Sequence, residues 1–382
     1  MIIALISETK LNDNTGTSVY VDEMSKNLAK YCKVYLFVPT KDNSYAYKDK
    51  SGRYVYHIKN SPENLYQKFL TERGLFLRNL EIELDKIINK RKINLFHCLY
   101  GHYFHFLKKY NKPIFWTCHN VPPNENRPFL YNINFFTLII NNFFFTLIRL
   151  KHKFLIKKLK FTKVFTPSIY VKNILINEIE VPARKVTHIN NGINYPVYLK
   201  SLFHKKYDIF TIITVASFKS HKNLHLIPKI IKNLNINKFR WIIIGKITDK
   251  KYYDNIINDF NEYVLNKKLI IKNDISEKQK NLLLKKSHLY VQLSSNEGFG
   301  IPLLEAKFSN LNSLSTICGA SKEITNEFGG HLIKNIDEKK IANQINNISN
   351  SRKLYNNNNN INKVSWSWKY LSNKLYSNYK KC

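Results

Sequence analysis

The sequence predicts a two-domain α/β protein in which each domain is built on an open parallel sheet. Three observations predict this. At 382 residues the chain is long enough for two domains that each bury a core of their own. Its opening reads strand, polar loop, helix, strand: an apolar run over 2–7, the loop Asn12-Asp13-Asn14-Thr15-Gly16-Thr17-Ser18, an amphipathic stretch over 19–30, and a second apolar run over 34–38. The pattern returns near residue 300. There the run His288-Leu289-Tyr290-Val291-Gln292-Leu293 reads as a buried strand, Gly298 and Gly300 permit a tight turn, and Pro302 suits the first turn of a helix, where a missing N–H costs nothing.

This second stretch, residues 294–306, carries the chemistry. A glycine turn between strand and helix aims backbone N–H groups and the positive end of a helix dipole at one spot, which favours a bound phosphate. Glu297 sits in the turn and Glu305 about one turn into the helix, so one carboxylate can face the mouth of a site while the other accepts hydrogen bonds from hydroxyls such as those of a ribose. The segment Glu297-Gly298-Phe299-Gly300, followed by Glu305 with seven residues between the two glutamates, resembles the donor-site signature of retaining glycosyltransferases of the GT-B fold, family 4 in particular. The resemblance implies two Rossmann-like doubly wound domains facing a central cleft, with donor-binding residues Gly16, Lys222, Glu297, Gly298, Phe299, Gly300 and Glu305. An ordinary strand-to-helix turn with surface glutamates is the plain alternative for these residues.

The rest of the chain follows in order. Residues 40–65 alternate polar and aromatic side chains and read as a hairpin or irregular strands; 75–90 reads as a helix; 93–98 and 113–118 read as strands. His119-Asn120 follows the last of these directly, and a residue just past the carboxyl end of a parallel strand faces the ligand crevice of such sheets. A lone histidine there is more often structural, and His97 is read that way. For His119 the resemblance implies a place near the donor sugar and acceptor.

Residues 129–150 are rich in Phe, Ile and Leu and approach the ~20 apolar residues that span a bilayer. Asn132, Asn134, Asn141 and Asn142 argue against a span, because each would need a partner in hydrocarbon. Arg149, Lys151, Lys153, Lys157, Lys158, Lys160 and Lys163 come next, and an aromatic-apolar helix beside a basic stretch suits an anionic membrane surface. A core-packed helix with a solvated basic end fits the same residues.

Residues 186–194, ending Asn190-Asn191-Gly192-Ile193-Asn194, resemble the strand that closes the first domain of the family. The implied division is 1–195 for the acceptor-side domain, 196–207 for a linker, 208–360 for the donor-binding domain and 361–382 for a helix that crosses back to the first domain. In the second domain, Phe218-Lys219-Ser220-His221-Lys222-Asn223 follows the strand near 210–217. By resemblance Lys222 matches a lysine that holds the donor diphosphate. Ser217 stands where the family commonly has arginine, which leaves Lys219 or His221 as substitutes for that charge.

Composition narrows the classes. Hydrophobic residues are 44% of the chain, so it is globular, and the net charge of +34 predicts attraction to polyanions: phosphorylated ligands, an anionic membrane face or nucleic acid. Nucleic acid is the poorest match, because no zinc-finger or RNP-type motif is present and the basic residues are spread through the chain. The five cysteines are odd in number and lack paired spacing, which argues for a reducing compartment and against zinc. The first residues have no basic n-region and read as a strand, not a signal peptide.

The reading is therefore an enzyme at the cytoplasmic face of the membrane. It moves a sugar from a nucleotide-diphosphate sugar to a glycan or lipid-linked glycan acceptor, with an anionic membrane surface as partner and no cofactor. No Asp-x-Asp metal motif is present, so Lys222 and the amides around Gly298–Gly300 are the expected counterions for the leaving diphosphate, with no metal site. Retention is implied by the resemblance. Glu297 and His119 are the catalytic candidates: Glu297 to position the sugar for front-face attack, and His119 to bind it or align the acceptor. A basic nucleic-acid-binding protein and a catalytically inactive GT-B subunit are the competing classes, the second because of Ser217.

Overall fold

The β-branched and aromatic runs of the sequence become fourteen described strands in two sheets. The computed structural model describes residues 1–11, 13, 15–62, 71–99, 105–120, 143, 146–147, 150–151, 153–157, 161–193, 205–351 and 363–381. The chain divides into two units. One takes Met1–Val121, Leu150–Gly192 and Val364–Cys382, and the other takes Pro122–Arg149 and Ile193–Lys363. Most of the predicted surface segment 129–163, and the linker up to residue 204, lie outside the described residues.

The first unit holds β1 (Ile2–Ile6), β2 (Lys33–Thr40), β3 (Tyr45–Lys48), β4 (Tyr54–Lys59), β5 (Leu95–Cys98), β6 (Ile114–Thr117), β7 (Lys163–Thr166) and β8 (Val186–His188), in the order β3-β4-β2-β1-β5-β6-β7-β8. Every pairing is parallel except β3 with β4, so the ambiguous 40–65 region holds, over 45–59, a hairpin whose second strand joins the sheet beside β2. Alternate side chains enter two separate cores. Ala4, Ile6, Phe96 and Trp116 pack with Phe76, Leu80 and Leu84 of α2 (Glu72–Lys90). Ile3, Leu5, Phe115 and Phe165 pack with Tyr20, Met24 and Leu28 of α1 (Gly16–Leu28) and with Trp368, Leu371, Leu375 and Tyr379 near the chain end. α3 (Ile169–Asn177) follows β7 and is capped by Ser168.

The second unit holds β9 (Phe210–Val215), β10 (Phe239–Ile244), β11 (Leu269–Lys272), β12 (Leu289–Gln292), β13 (Asn312–Thr316) and β14 (His331–Ile333), all parallel, in the order β11-β10-β9-β12-β13-β14. Strand order reverses between β9 and β12, which makes their carboxyl ends the crevice of a doubly wound sheet. The helices are α4 (Leu226–Lys232), α5 (Lys250–Leu265), α6 (Glu277–Lys286), α7 (Ile301–Phe308), α8 (Ser321–Phe328) and α9 (Glu338–Asn350). Three of their starts follow capping chemistry: Asp249 and Asp337 accept from the third following amide, and Ser276 forms a capping box with Gln279.

The last helix, α10 (Trp368–Lys380), belongs to the first unit. It starts after a 3₁₀ turn at Lys363–Trp366 and is capped by Ser367. Gly192 makes room for it: a Cβ there would lie 2.6 Å from the Trp368 ring. Cys32, Cys98, Cys118 and Cys318 are free thiols. Among the described residues, no helix is long and apolar enough to cross a membrane.

Candidate active site

The loops after β9 and β12 are tied to each other at the reversal point of the second sheet. Ser295 N donates to His221 O at 2.8 Å, and Asn223 Nδ2 donates to Leu293 O at 2.9 Å, with Asn223 itself in the left-handed region at φ 51°. This stitching presents Lys222 from the first loop to Glu297 from the second: Lys222 Nζ donates to Glu297 Oε1 at 2.6 Å, and Ser294 Oγ donates to the same oxygen at 2.8 Å. Burial works against the Glu297 charge, but the Lys222 ammonium and these hydrogen bonds outweigh it and hold the carboxyl below its usual range. Glu297 is therefore an anion at neutral pH.

His221 behaves differently. Burial first, and then the Lys222 charge, push it down to about 4. Its ring is neutral at pH 7. Lys219, the other candidate for the charge absent at Ser217, is exposed.

The glycine turn is built as the sequence requires. Gly300 is the N-cap of α7 with φ +94°, a conformation side chains rarely adopt, and it has no side chain with which to cap the first amides. Pro302 occupies the first turn. Phe299 is buried, and its carbonyl accepts from Ala320 N at 2.8 Å, which draws the loop after β13 against the turn. Gly319, at φ +54°, permits that approach: a Cβ would stand 2.7 Å from Phe299 O and 2.9 Å from Glu297 Cβ. Gly319 and Ser294 thus shape the site, although neither forms part of the glutamate spacing that marks the motif.

Glu305 sits on α7 with its side chain 10% exposed, and Lys280 Nζ from α6 lies 2.9 Å from its carboxylate. Lys280 also pairs with Glu277 at 2.9 Å. Burial lowers the affinity of Lys280 for its proton, yet Glu305 and Glu277 together raise it above the usual lysine range. Nothing in the sequence around Lys280 separates it from an ordinary solvated lysine.

Gly16 and His119 stand on the first unit. Gly16 is the first residue of α1, behind the Thr15 cap. His119 follows β6 at the carboxyl edge of the sheet and is buried; Tyr20 of α1 meets it edge-on with ring centroids 4.3 Å apart. Burial pushes His119 down to about 4, opposed by a hydrogen bond with the Leu99 backbone, so its ring is neutral at pH 7. His97 lies deeper, between Tyr379 of α10 and Thr117 (Nε2 to Oγ1 2.8 Å), and burial lowers it to about 3. It is a structural histidine, as its place inside β5 predicts. Glu8, just past β1 where this sheet reverses its order, pairs with Arg73 Nε at 2.7 Å. Burial raises its pKa and Arg73 opposes the rise. In the sequence it reads only as the end of the first strand.

Comparison with known proteins bears on the family and the fold. Residues 14–195 match the profile of Glycosyltransferase Family 4, and residues 200–364 match that of glycosyl transferases group 1. The O-antigen chain mannosyltransferase RfbU of Salmonella typhimurium (strain LT2) is 26% identical over 211 residues, which are 52% of this chain and 55% of that protein; the chain spans about half the length of this curated relative. Among solved structures, sucrose-phosphate synthase from Thermosynechococcus elongatus superimposes with a TM-score of 0.78 at 14% identity, over 100% of this chain and 98% of that one. HepE of Anabaena, in complex with UDP and glucose, gives 0.72 at 12% identity over 100% of both chains. With two doubly wound parallel-sheet units and a matching profile on each, the chain belongs to the family 4 glycosyltransferases of the GT-B fold.

Proposed function

We propose that this protein transfers a sugar from a nucleotide-diphosphate sugar to a glycan acceptor with retention of configuration. We assign the acceptor to the lipid-linked intermediates of a surface polysaccharide or lipopolysaccharide, which places the enzyme peripherally on the cytoplasmic face of a membrane. The observation that carries the reading is the convergence of Lys222, Glu297, Ser294 and the start of α7 at the reversal point of the second sheet. RfbU is a mannosyltransferase of O-antigen chains by its name, and HepE was solved with UDP and glucose, which supports the substrate class.

In this reading the leaving diphosphate rests against the Lys222 ammonium and the first amides of α7, which take up negative charge as the anomeric C–O bond breaks. The acceptor oxygen attacks the anomeric carbon from the face the diphosphate leaves. The electron pair of the broken bond goes to the phosphate, and the acceptor's proton ends on that phosphate oxygen. Glu297, ionised and held by Lys222 and Ser294, fixes the sugar. Glu305 accepts hydrogen bonds from the ribose hydroxyls. His119, neutral and held by Tyr20, binds the sugar or aligns the acceptor, and Gly16 lets the start of α1 approach the donor phosphates. Fixed cations and amides do the electrostatic work, so no metal is required.

The test is a donor screen. UDP-, GDP- and ADP-sugars are incubated with the purified protein, and nucleotide release is followed with and without EDTA, with NMR of the anomeric product. Release from one nucleotide class, insensitive to EDTA and with the configuration kept, is expected. Release that stops on chelation and returns with Mg²⁺ or Mn²⁺ overturns metal independence. No release from any donor, while the folded protein retains nucleic acid through salt washes, overturns the enzyme reading.

A further inference from the structure

The loop that carries Glu297 and the loop after β13 are joined by side chains. The ladder between β12 and β13 ends at Gln292 and Ser315. Past that pair, Cys318 N turns back to Thr316 O at 3.1 Å and to Ser321 Oγ at 3.0 Å. Side chains carry the contact from there: the Ser294 carbonyl accepts from Thr316 Oγ1 at 2.5 Å and from Cys318 Sγ at 3.2 Å. Thr316 is 4% exposed and Cys318 1%. Burial first, and then Glu297, push the Cys318 thiol up to about 12, so it keeps the proton that it donates.

The arrangement has a direction. Ser294 gives its carbonyl to Thr316 and Cys318 and its hydroxyl to Glu297 Oε1, the oxygen that Lys222 also holds. One donor satisfies a buried carbonyl; here two converge, and occupying both lone pairs fixes the plane of the peptide that follows Ser294. The same loop meets the Glu297 loop twice more, at Gly319 against Glu297 Cβ and through Ala320 N to Phe299 O.

We propose that Thr316 and Cys318 are positioning residues of the donor site: they lock the Ser294 carbonyl and through it aim the Ser294 hydroxyl at Glu297. The inference rests on the reading of Glu297 as the anion that fixes the donor sugar, and it extends the site to a loop outside the two-glutamate motif. Thr316 supplies the larger part of the hold, since an O–H donor at 2.5 Å is stronger than a thiol. Four titratable groups bear on Glu297. Lys222 and His221 act from the loop after β9, while Tyr290 of β12 and Cys318 are buried and keep their protons.

The test compares Thr316→Val, which keeps the shape and removes the hydroxyl, with Thr316→Ser, which keeps the hydroxyl, in the full chain. Carbon-13 NMR of labelled glutamate carboxyls, with Glu297 assigned by its loss in Glu297→Gln, reads the Glu297 titration midpoint without any substrate. Thr316→Val moves that midpoint to higher pH, because the Ser294 hydrogen bond helps to keep the carboxyl low. It lowers kcat for donor hydrolysis about 5- to 10-fold and leaves nucleoside-diphosphate affinity within ~2-fold, since the diphosphate has no sugar for Glu297 to fix. Thr316→Ser restores the midpoint and kcat. Cys318→Ala moves both in the same direction by smaller amounts, and it replaces Thr316→Val if that variant does not fold. An unmoved midpoint in folded Thr316→Val, or in Cys318→Ala where it must stand in, refutes the positioning role. So does a fall in kcat matched by an equal loss of nucleoside-diphosphate affinity, or a loss that Thr316→Ser does not recover. If the midpoint moves but no form hydrolyses any donor, the hold on Glu297 stands and the enzyme reading falls.

Discussion

Lys222 Nζ lies 2.6 Å from Glu297 Oε1, and both side chains are largely buried, at 15% and 16% exposure. The two residues meet at the ends of neighbouring strands, and Lys222 is the main influence that lowers the Glu297 pKa. Replacing Lys222 therefore removes a phosphate partner and also the main influence that keeps Glu297 ionised, while the burial that favours the protonated form remains. Lys222→Gln is expected to weaken nucleoside-diphosphate binding by ~1.5–3 kcal/mol, roughly 10- to 100-fold, measured by calorimetry. The sign for pH follows from the lowered Glu297 pKa: in the wild type the carboxylate is lost only as pH falls below the usual carboxylate range. In the variant the acid limb of donor hydrolysis moves to higher pH. An unmoved limb would separate Glu297 from the pair.

Glu305 is joined to Lys280, so its substitution has two readouts. Glu305→Ala is expected to weaken nucleoside-diphosphate binding by ~1–3 kcal/mol. It should also lower the melting temperature, because Lys280, at 13% side-chain exposure, loses one of its two ion pairs among the described residues and keeps that with Glu277. Adding Lys280→Met should restore the melting temperature and leave affinity low. Recovery of both by the double variant would show that Glu305 acts only on folding.

His97 predicts acid sensitivity. Burial, and then the neighbouring His119, bring its pKa to about 3, whereas an unfolded histidine titrates near ~6.5. Above the unfolded value neither state is protonated and the contribution is complete. As pH falls from there toward the folded value, only the unfolded chain takes up the proton, and stability drops. Chemical denaturation between pH 7 and pH 4 should show this loss. In His97→Gln the slope should be shallower by up to ~1.4 kcal/mol per pH unit, with the remainder from other histidines that burial lowers in the same direction, among them His119, His221 and His225. An unchanged slope would place the acid-sensitive group elsewhere.

The fold was legible where a signal is local. Runs such as Trp241–Ile244 are short, apolar and β-branched, and they became central strands. The turn at Gly298–Gly300 with Pro302 was legible because only a few residue types tolerate that backbone, and Gly300 indeed takes a positive φ. What stayed hidden depends on contacts between distant residues. Lys280 is an ordinary helical lysine until α7 brings Glu305 to it. The His97–Tyr379 contact joins residues 282 apart in sequence. The lowered pKa of His221, one of the two stand-ins offered for the missing arginine, comes first from burial that no motif displays.

The helix α10 has a consequence for how the protein is made. It supplies Trp368, Leu371, Leu375 and Tyr379 to the core that faces Ile3, Leu5 and Met24. A ribosome working at ~5–20 residues per second needs roughly 10–35 s to pass from Gly192 to Trp368. Through that interval one face of the first-made sheet is covered by α1 but lacks α10, while the second sheet, drawn from one continuous stretch after residue 193, emerges with all its strands in hand. The half synthesised second is thus the half that completes first, and the nascent chain spends that time offering a greasy sheet surface to whatever chaperone meets it.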